Sequence, residues 1–238
     1  MKRLLIDKGN TRLKWKLLAS NDWDQGETCR GSLQDFNVWL NASDITNTWV
    51  DLSAVSDVEP LLALLNQQGS VEVRKYQSEA ARDGLVNSYQ HPQRMGIDRW
   101  LAMLAAKEQC ITPSFIVVDA GTAFTLDVVQ QGVHQGGYIL PGVLMAQDAL
   151  YGKTDQVHRY SEHQEENINR LLGKNTVQCV EYGILNQLLA LTRQVQQDFS
   201  GLPIILTGGD APLLAPHLNN CTVDAELVLK GLFVIGKE

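Results

Sequence analysis

Ile116-Val117-Val118-Asp119-Ala120-Gly121-Thr122-Ala123, continuing as Phe124-Thr125-Leu126-Asp127-Val128-Val129, reads as a buried strand, a tight glycine turn and a second strand. The same phrase occurs earlier as Leu4-Leu5-Ile6-Asp7-Lys8-Gly9-Asn10-Thr11, followed by Arg12-Leu13-Lys14-Trp15-Lys16-Leu17-Leu18. Asp7 falls on Asp119 and Gly9 on Gly121, an offset of 112. Self-similarity on this scale decides a fold before any single element does. It predicts two similar α/β lobes, residues 1–112 and 113–238, joined between Cys110 and Phe115, where Thr112-Pro113-Ser114 breaks a helical period.

Helical patterns fill the space between the hairpins. Leu61, Leu62, Leu64 and Leu65 mark one apolar face, and Trp100, Leu101, Met103, Leu104 and Ala105 mark another after Met95-Gly96-Ile97-Asp98-Arg99. Gly183 to Leu191 is helical in period, Pro203 to Leu206 is a buried strand running into Gly208-Gly209, and Val223 to Val234 reads as a buried helix. The apolar run Trp100 to Ala106 suits either a core or a contact between subunits.

A chain of 238 residues buries roughly 70% of its unfolded surface, enough for a core without disulfides. Cys29, Cys110, Cys179 and Cys221 lie far apart and show neither zinc nor disulfide spacing. A net charge of −7 disfavours a nucleic-acid groove or an anionic membrane surface, although Lys2, Arg3, Lys8, Arg12, Lys14 and Lys16 make a local basic patch. The apolar run after Lys2-Arg3 is too short for a signal core, and no segment approaches a membrane span. A cytoplasmic protein with no nucleic-acid and no membrane partner is expected.

The glycine turns carry the chemistry. Glycine lets a backbone approach a ligand closely, and adjacent N–H groups with short polar side chains cradle phosphate oxygens. An Asp just before the turn offers the oxygen that a phosphate-bound hard cation prefers. Two such turns facing one another would clamp a phosphate with one carboxylate on each side. A single Asp-Gly turn usually only closes a hairpin; duplication of the whole unit and the added Gly208-Gly209 turn favour the clamp.

On Asp7 to Lys14, Gly96-Ile97-Asp98-Arg99, Asp119 to Ala123, Gly136-Gly137-Tyr138-Ile139-Leu140-Pro141-Gly142 and Gly173-Lys174-Asn175-Thr176, the sequence resembles the type III pantothenate kinases of the acetate kinase, sugar kinase, Hsp70 and actin superfamily. The motifs occur in the family's order over most of the chain. The resemblance implies two ribonuclease-H-like lobes with a nucleotide cleft between them, the actin-like ATPase fold. It implies ATP-dependent phosphorylation of pantothenate to 4′-phosphopantothenate, the first step of coenzyme A synthesis, by a homodimer whose pantothenate pocket is partly built at the interface. Asp7, Lys8, Gly9, Asn10, Thr11, Arg12, Leu13 and Lys14 would bind ATP, with Asp7 near its Mg2+, and Thr122 would contact ATP. Asp119 would help hold a monovalent cation, K+ or NH4+. Tyr89, Gly96, Ile97, Asp98, Arg99 and Thr176 would line the pantothenate pocket, with Asp98 as general base. Lys8 departs from the apolar or small residue usual there; it either points outward or adds charge near phosphate.

Elementary chemistry is compatible with these roles. Phosphoryl transfer needs positioning, charge neutralisation and a group to accept the alcohol's proton. The planar fork of Arg99 suits a substrate carboxylate or developing phosphate charge. Each residue also has a plainer reading: Asp98 as a first-turn acid of a helix, Tyr89 as a packing aromatic, Thr176 as a helix cap, and Gly136 to Gly142 as a loop. A non-catalytic nucleotide-binding or transcription-accessory protein on the same scaffold is the alternative, and intact Asp7, Asp98 and Asp119 argue against it. A ribonuclease-H-like nuclease would need a carboxylate cluster around two metals.

Other signals fail. Gly152-Lys153-Thr154 ends like a Walker A loop, but position 147 is Gln147 rather than glycine. Gly132, Gly136 and Gly137 lack dinucleotide-fingerprint spacing. His91, His134, His158, His163 and His217 show no metal-ligand spacing and are expected to be solvated or packed. The five tryptophans do not alternate with basic residues as a base-stacking platform would.

Overall fold

The structure, a computed structural model, describes residues 2–20, 22–68, 71–153 and 172–237; Thr154, His158 and His163 lie outside the described residues. In chain order the first elements are β1 (Lys2–Lys8), β2 (Leu13–Leu18), β3 (Thr28–Gly31), α1 (Leu33–Ala42), β4 (Thr48–Ala54), α2 (Glu59–Asn66) and β5 (Glu72–Lys75). They form a five-stranded sheet in the order β3-β2-β1-β4-β5. β1 pairs antiparallel with β2, Asp7 opposite Lys14, and parallel with β4, Asp7 opposite Ser53. The first expected hairpin is therefore present with Gly9 in its turn.

Alternation along these strands sends Leu4, Ile6, Trp15, Val50 and Leu52 into a core completed by Phe36 and Leu40 of α1 and by Leu61 and Leu65 of α2. Trp15 meets Phe36 edge to face at 5.2 Å. α1 starts sharply because Ser32 and Asp35 make a capping box: Asp35 N–H donates to Ser32 Oγ, and Ser32 N–H donates to Asp35 Oδ2 at 2.7 Å.

The chain continues through β6 (Ala81–Arg82), β7 (Leu85–Val86), α3 (Ile97–Gln109), β8 (Phe115–Ala120), β9 (Ala123–Gln130), β10 (Val133–Pro141), α4 (Val143–Lys153) and α5 (Thr176–Asp198). It ends with β11 (Ile204–Thr207), α6 (Ala211–Leu214), β12 (Cys221–Val223) and α7 (Leu227–Ile235). Strands β6 to β12 follow the order β12-β11-β8-β9-β10-β7-β6, so the second hairpin, β8 and β9, is present as well. Two compact units are distinguished: residues 1–115, 127–136 and 226–238, and residues 116–126 and 137–225.

Three local expectations are resolved. Gly136 to Gly142 is mostly strand, the exposed second half of β10, rather than a loop. The helix read from Val223 begins at Leu227, because Cys221 to Val223 pair with β11 and Asp224 N–H donates to Leu206 O. Trp100 to Ala106 is core: every one of these residues is buried, and α3 lies so close to α7 that a side chain at Gly231 would strike the Leu101 backbone.

Candidate active site

In the first unit the β1–β2 turn closes with Gly9 N–H donating to Arg12 O at 3.1 Å. Asn10, Thr11 and Arg12 are exposed at its tip, while Leu13 turns into the core and pairs with Lys8 of β1 and Gly31 of β3. Asp7 Oδ1 accepts from Ser53 Oγ at 3.1 Å. Lys8 takes a third course beside the two expected for it. Its Nζ donates to Ser56 Oγ at 2.8 Å, and Ser56 Oγ donates to Gly9 O at 3.0 Å. Lys8 thus ties the turn to the segment after β4, where Val55 N–H also donates to Lys8 O. An open cavity of about 320 Å³ lies over this turn, with Asn10, Arg12, Ser56 and Asp57 in its lining.

The same unit presents Tyr89 and the start of α3. Gly96 is the N-cap of α3, and a methyl group there would come within 2.5 Å of an Asp98 carboxylate oxygen, so only glycine leaves that carboxylate in place. Ser78 Oγ holds the approach by donating to Met95 O at 3.0 Å. Asp98 is partly buried and accepts from the Arg99 N–H at 2.8 Å. Burial pushes its carboxyl above the usual range and Asp127 adds to this, while the Arg99 N–H and charge act the other way.

Arg99 is buried, and its fork is already engaged. Nε and Nη2 donate to the two oxygens of Asp127 at 2.9 and 2.5 Å, and Nη1 donates to the Tyr89 hydroxyl at 2.8 Å. Asp127 is 1% exposed and also meets His134 Nε2 at 2.9 Å. Burial alone would raise the Asp127 carboxyl, but the hydrogen bonds from His134 and Arg99 win and hold it below its ordinary value. Burial likewise opposes the Arg99 charge, yet Asp127 keeps it protonated. His134 Nδ1 lies 2.9 Å from Ser88 Oγ. Asn87 fixes Tyr89 from behind, its Oδ1 accepting from Tyr89 N–H at 3.0 Å.

Sequence reading missed Asp127, His134 and Ser88 as site residues, although Asp127 stands in a quoted apolar strand. An acid in such a strand requires buried partners, and that was the available signal. His134 is packed, as expected of it, but inside a polar chain.

In the second unit three glycine turns meet around the β8–β9 connection. Gly121 N–H donates to Ala123 O, Gly142 N–H to Thr122 O at 3.0 Å, and Asp210 N–H to Ala120 O at 2.9 Å. Gly208 has φ +96°, and a side chain on it would press on Asp119 Oδ1 and the Ala120 backbone. Thr122 is exposed. Asp119 stands opposite Thr207, whose Oγ1 is buried with no hydrogen-bond partner among the described residues. Thr176 is exposed in the first turn of α5; the cap is Asn175, whose Oδ1 accepts from Gln178 N–H at 2.9 Å. Among the described residues no three His, Cys, Asp or Glu side chains form a metal-binding group, no helix is long and apolar enough to cross a membrane, and the four cysteines are unbridged.

Comparison with known proteins bears on this geometry. A family model described as Type III pantothenate kinase matches residues 3–198. A type III pantothenate kinase of Marinobacter nauticus is 38% identical, with 96% of each chain covered, and one of Acinetobacter baumannii is 33% identical, with 98% of this chain and 96% of the relative covered. Among solved structures, a Campylobacter jejuni protein assigned to the Baf family of transcriptional activators superposes with a TM-score of 0.63 at 21% identity, covering 98% of this chain and 96% of that one. A Sinorhizobium meliloti protein assigned as a 2-dehydro-3-deoxygalactonokinase reaches the same TM-score at 13% identity, over 98% of this chain and 97% of that one. At these identities the structural likeness establishes a shared fold of two α/β lobes.

Proposed function

The chain belongs to the type III pantothenate kinase family, and from that premise we infer how its own residues perform the reaction. The activity is transfer of the ATP γ-phosphoryl group to the primary hydroxyl of pantothenate, giving 4′-phosphopantothenate and ADP, the opening step of coenzyme A synthesis. The observation that carries the assignment of roles is the seat of Asp98. Its carboxylate rests over Gly96 at the head of α3, partly buried and raised in pKa, beside an arginine already neutralised by Asp127.

A carboxylate whose pKa is raised is, in its ionised form, a better proton acceptor than an exposed one. Asp98 orients the hydroxyl toward the γ-phosphate and takes its proton as transfer proceeds. Tyr89 and Arg99 shape the acceptor pocket from the same unit, and Gly96, Ile97 and Thr176 complete its proposed lining. The turn from Lys8 to Lys14, with Thr122, receives the ATP phosphates through backbone N–H groups and short side chains. Magnesium arrives with ATP as part of the substrate, and Asp7 is the carboxylate assigned to it.

The Asp119 carboxylate and the orphaned Thr207 hydroxyl form an oxygen-only donor set that fits a hard monovalent cation such as K+ or NH4+. Such an ion supplies positive charge for the phosphate oxygens. The proposed lobes of the duplication are 1–112 and 113–238. A homodimer is inferred as the working form. Its supporting observation is the exposure of Tyr138, Ile139, Leu144, Met145 and Leu150 on β10 and α4, while Trp100 to Ala106 is buried within its own subunit.

A coupled ADP-release assay with pantothenate, Mg-ATP and K+ tests the reading. Turnover that depends on pantothenate and increases with K+ is expected; ADP release indifferent to pantothenate overturns it.

A further inference from the structure

We propose that Asp127 and His134 are positioning residues of the acceptor pocket, forming with Ser88 a buried relay that fixes the Arg99 guanidinium and, through it, the Tyr89 hydroxyl. The proposal rests on the pantothenate-kinase reading.

The relay is set by donor counting. Asp127 is an ionised acceptor with three donors converging on it: Arg99 Nε, Arg99 Nη2 and His134 Nε2. An ionised carboxylate cannot donate, so Nε2 of His134 carries the proton. The other ring nitrogen, Nδ1, meets the Ser88 hydroxyl across 2.9 Å. Ser88, His134, Asp127, Arg99 and Tyr89 are thus joined side chain to side chain in one unbroken line of hydrogen bonds.

Two features make this more than core filling. Both ends of the line are outside the core, Ser88 exposed and Tyr89 half-buried, while its middle is 1% exposed at both Asp127 and His134. A network serving packing alone would end on framework groups. Here the ends are sequence neighbours on the segment between β7 and α3, and the Tyr89 ring leans over His134 at 6.1 Å between centroids. His134 is brought there by the parallel pairing of β10 with β7, Val133 opposite Val86, which sets it beside Ser88. The residue next to the proposed base is thereby held by groups on two strands, β9 and β10, and on the segment after β7, and a small rotation of the Asp127 carboxylate would be transmitted to Tyr89.

The test is steady-state kinetics of the full chain, with thermal melting of each variant recorded alongside. His134→Ala is expected to raise the KM for pantothenate about tenfold, the size of one lost hydrogen bond to a charged group, with the KM for ATP changed by less than about twofold. His134→Gln, whose amide can donate to Asp127, should recover most of the loss. Asp127→Asn should shift the pantothenate KM in the same direction and further; should that variant fail to fold, the His134 pair decides. An unmoved pantothenate KM in His134→Ala, an equal rise in both KM values, a change confined to kcat, or His134→Gln no better than His134→Ala each overturns the proposal. Absence of pantothenate-dependent turnover in the wild type overturns the functional reading and this relay with it. Wild-type turnover with unshifted variants overturns the relay alone.

Discussion

Two buried aspartates in the same unit solve the same problem differently. Asp51, at the middle of β4 and fully buried, accepts from Arg3 at 2.9 and 2.7 Å, from Arg74 at 2.8 Å, and from the Tyr76 hydroxyl at 3.0 Å. Its partners lie on β1, on β5 and just beyond β5, and Arg3 Nη2 also reaches Phe233 O of α7. That carboxylate stitches the first sheet to the last helix. Asp127 has one arginine fewer and a histidine instead, and its partners continue outward to Tyr89 and Ser88. Two arginines make a closed clamp, because both forks are spent on the one carboxylate and its surrounding framework. Replacing one by a histidine leaves a ring whose second nitrogen, 2.9 Å from Ser88 Oγ, can pass orientation onward. The difference is between a carboxylate that closes a core and one that supports a site.

The largest effect expected lies beside the second carboxylate. Asp98→Asn should lower kcat about 10²–10⁴-fold in the ADP-release assay. Because the Asp98 carboxyl is raised, folding prefers its protonated form: that contribution is whole below the unfolded carboxylate range and is lost as pH rises through the raised value. The Asn variant should therefore melt slightly higher than the wild type at pH 7, and wild-type kcat should fall on the acid side as Asp98 protonates. A variant both slower and less heat-stable would remove the base assignment's physical footing.

Asp51→Ala comes next. It strands the buried guanidinium of Arg3 and the Arg74 fork and should cost about 3–5 kcal/mol in urea unfolding. Below its melting temperature it should leave both KM values near wild type; a selective loss of pantothenate affinity would erase the contrast between the two carboxylates. A smaller effect is expected in acid. The Asp127 carboxyl is lowered, so its stabilisation is present above the unfolded carboxylate range, near pH 4, and fades as pH falls through its folded value. Acid melts of Asp127→Asn should be flatter than wild type in that window. The smallest effect is at Tyr76, where burial and then Asp51 push the phenol up to about 12. That contribution is intact below pH 10 and is lost toward pH 12, so Tyr76→Phe should cost about 1 kcal/mol at pH 7 and flatten the alkaline melt.

What could be read in advance follows from the range of each interaction. The two hairpins were legible because a strand, a glycine turn and the returning strand are consecutive residues, and the offset between Asp7 and Asp119 showed the unit twice. Gly96-Ile97-Asp98-Arg99 was legible as a helix start for the same reason. The partner of Arg99 was not. Asp127 lies 28 residues away on another strand, and pattern alone cannot tell a fork facing solvent from one facing a buried acid. Lys8 escaped similarly, since Ser56 meets it only through the parallel pairing of β1 with β4. The run from Val223 was misread because apolar period does not reveal that β11 offers its edge to Cys221 through Val223.

The close approach of Gly231 to Leu101 also sets an order of events during synthesis. α3, whose first turn carries Asp98 and Arg99, has its packing partner α7 more than a hundred residues downstream. A ribosome must have translated through α7 before the α7-facing side of α3 is covered, so the nascent chain leaves Leu101 without that cover throughout the synthesis of β8 to β12. Premature termination between β10 and α7 would yield a polypeptide holding every residue of the relay yet lacking the helix that packs on α3, a natural client for a holdase chaperone.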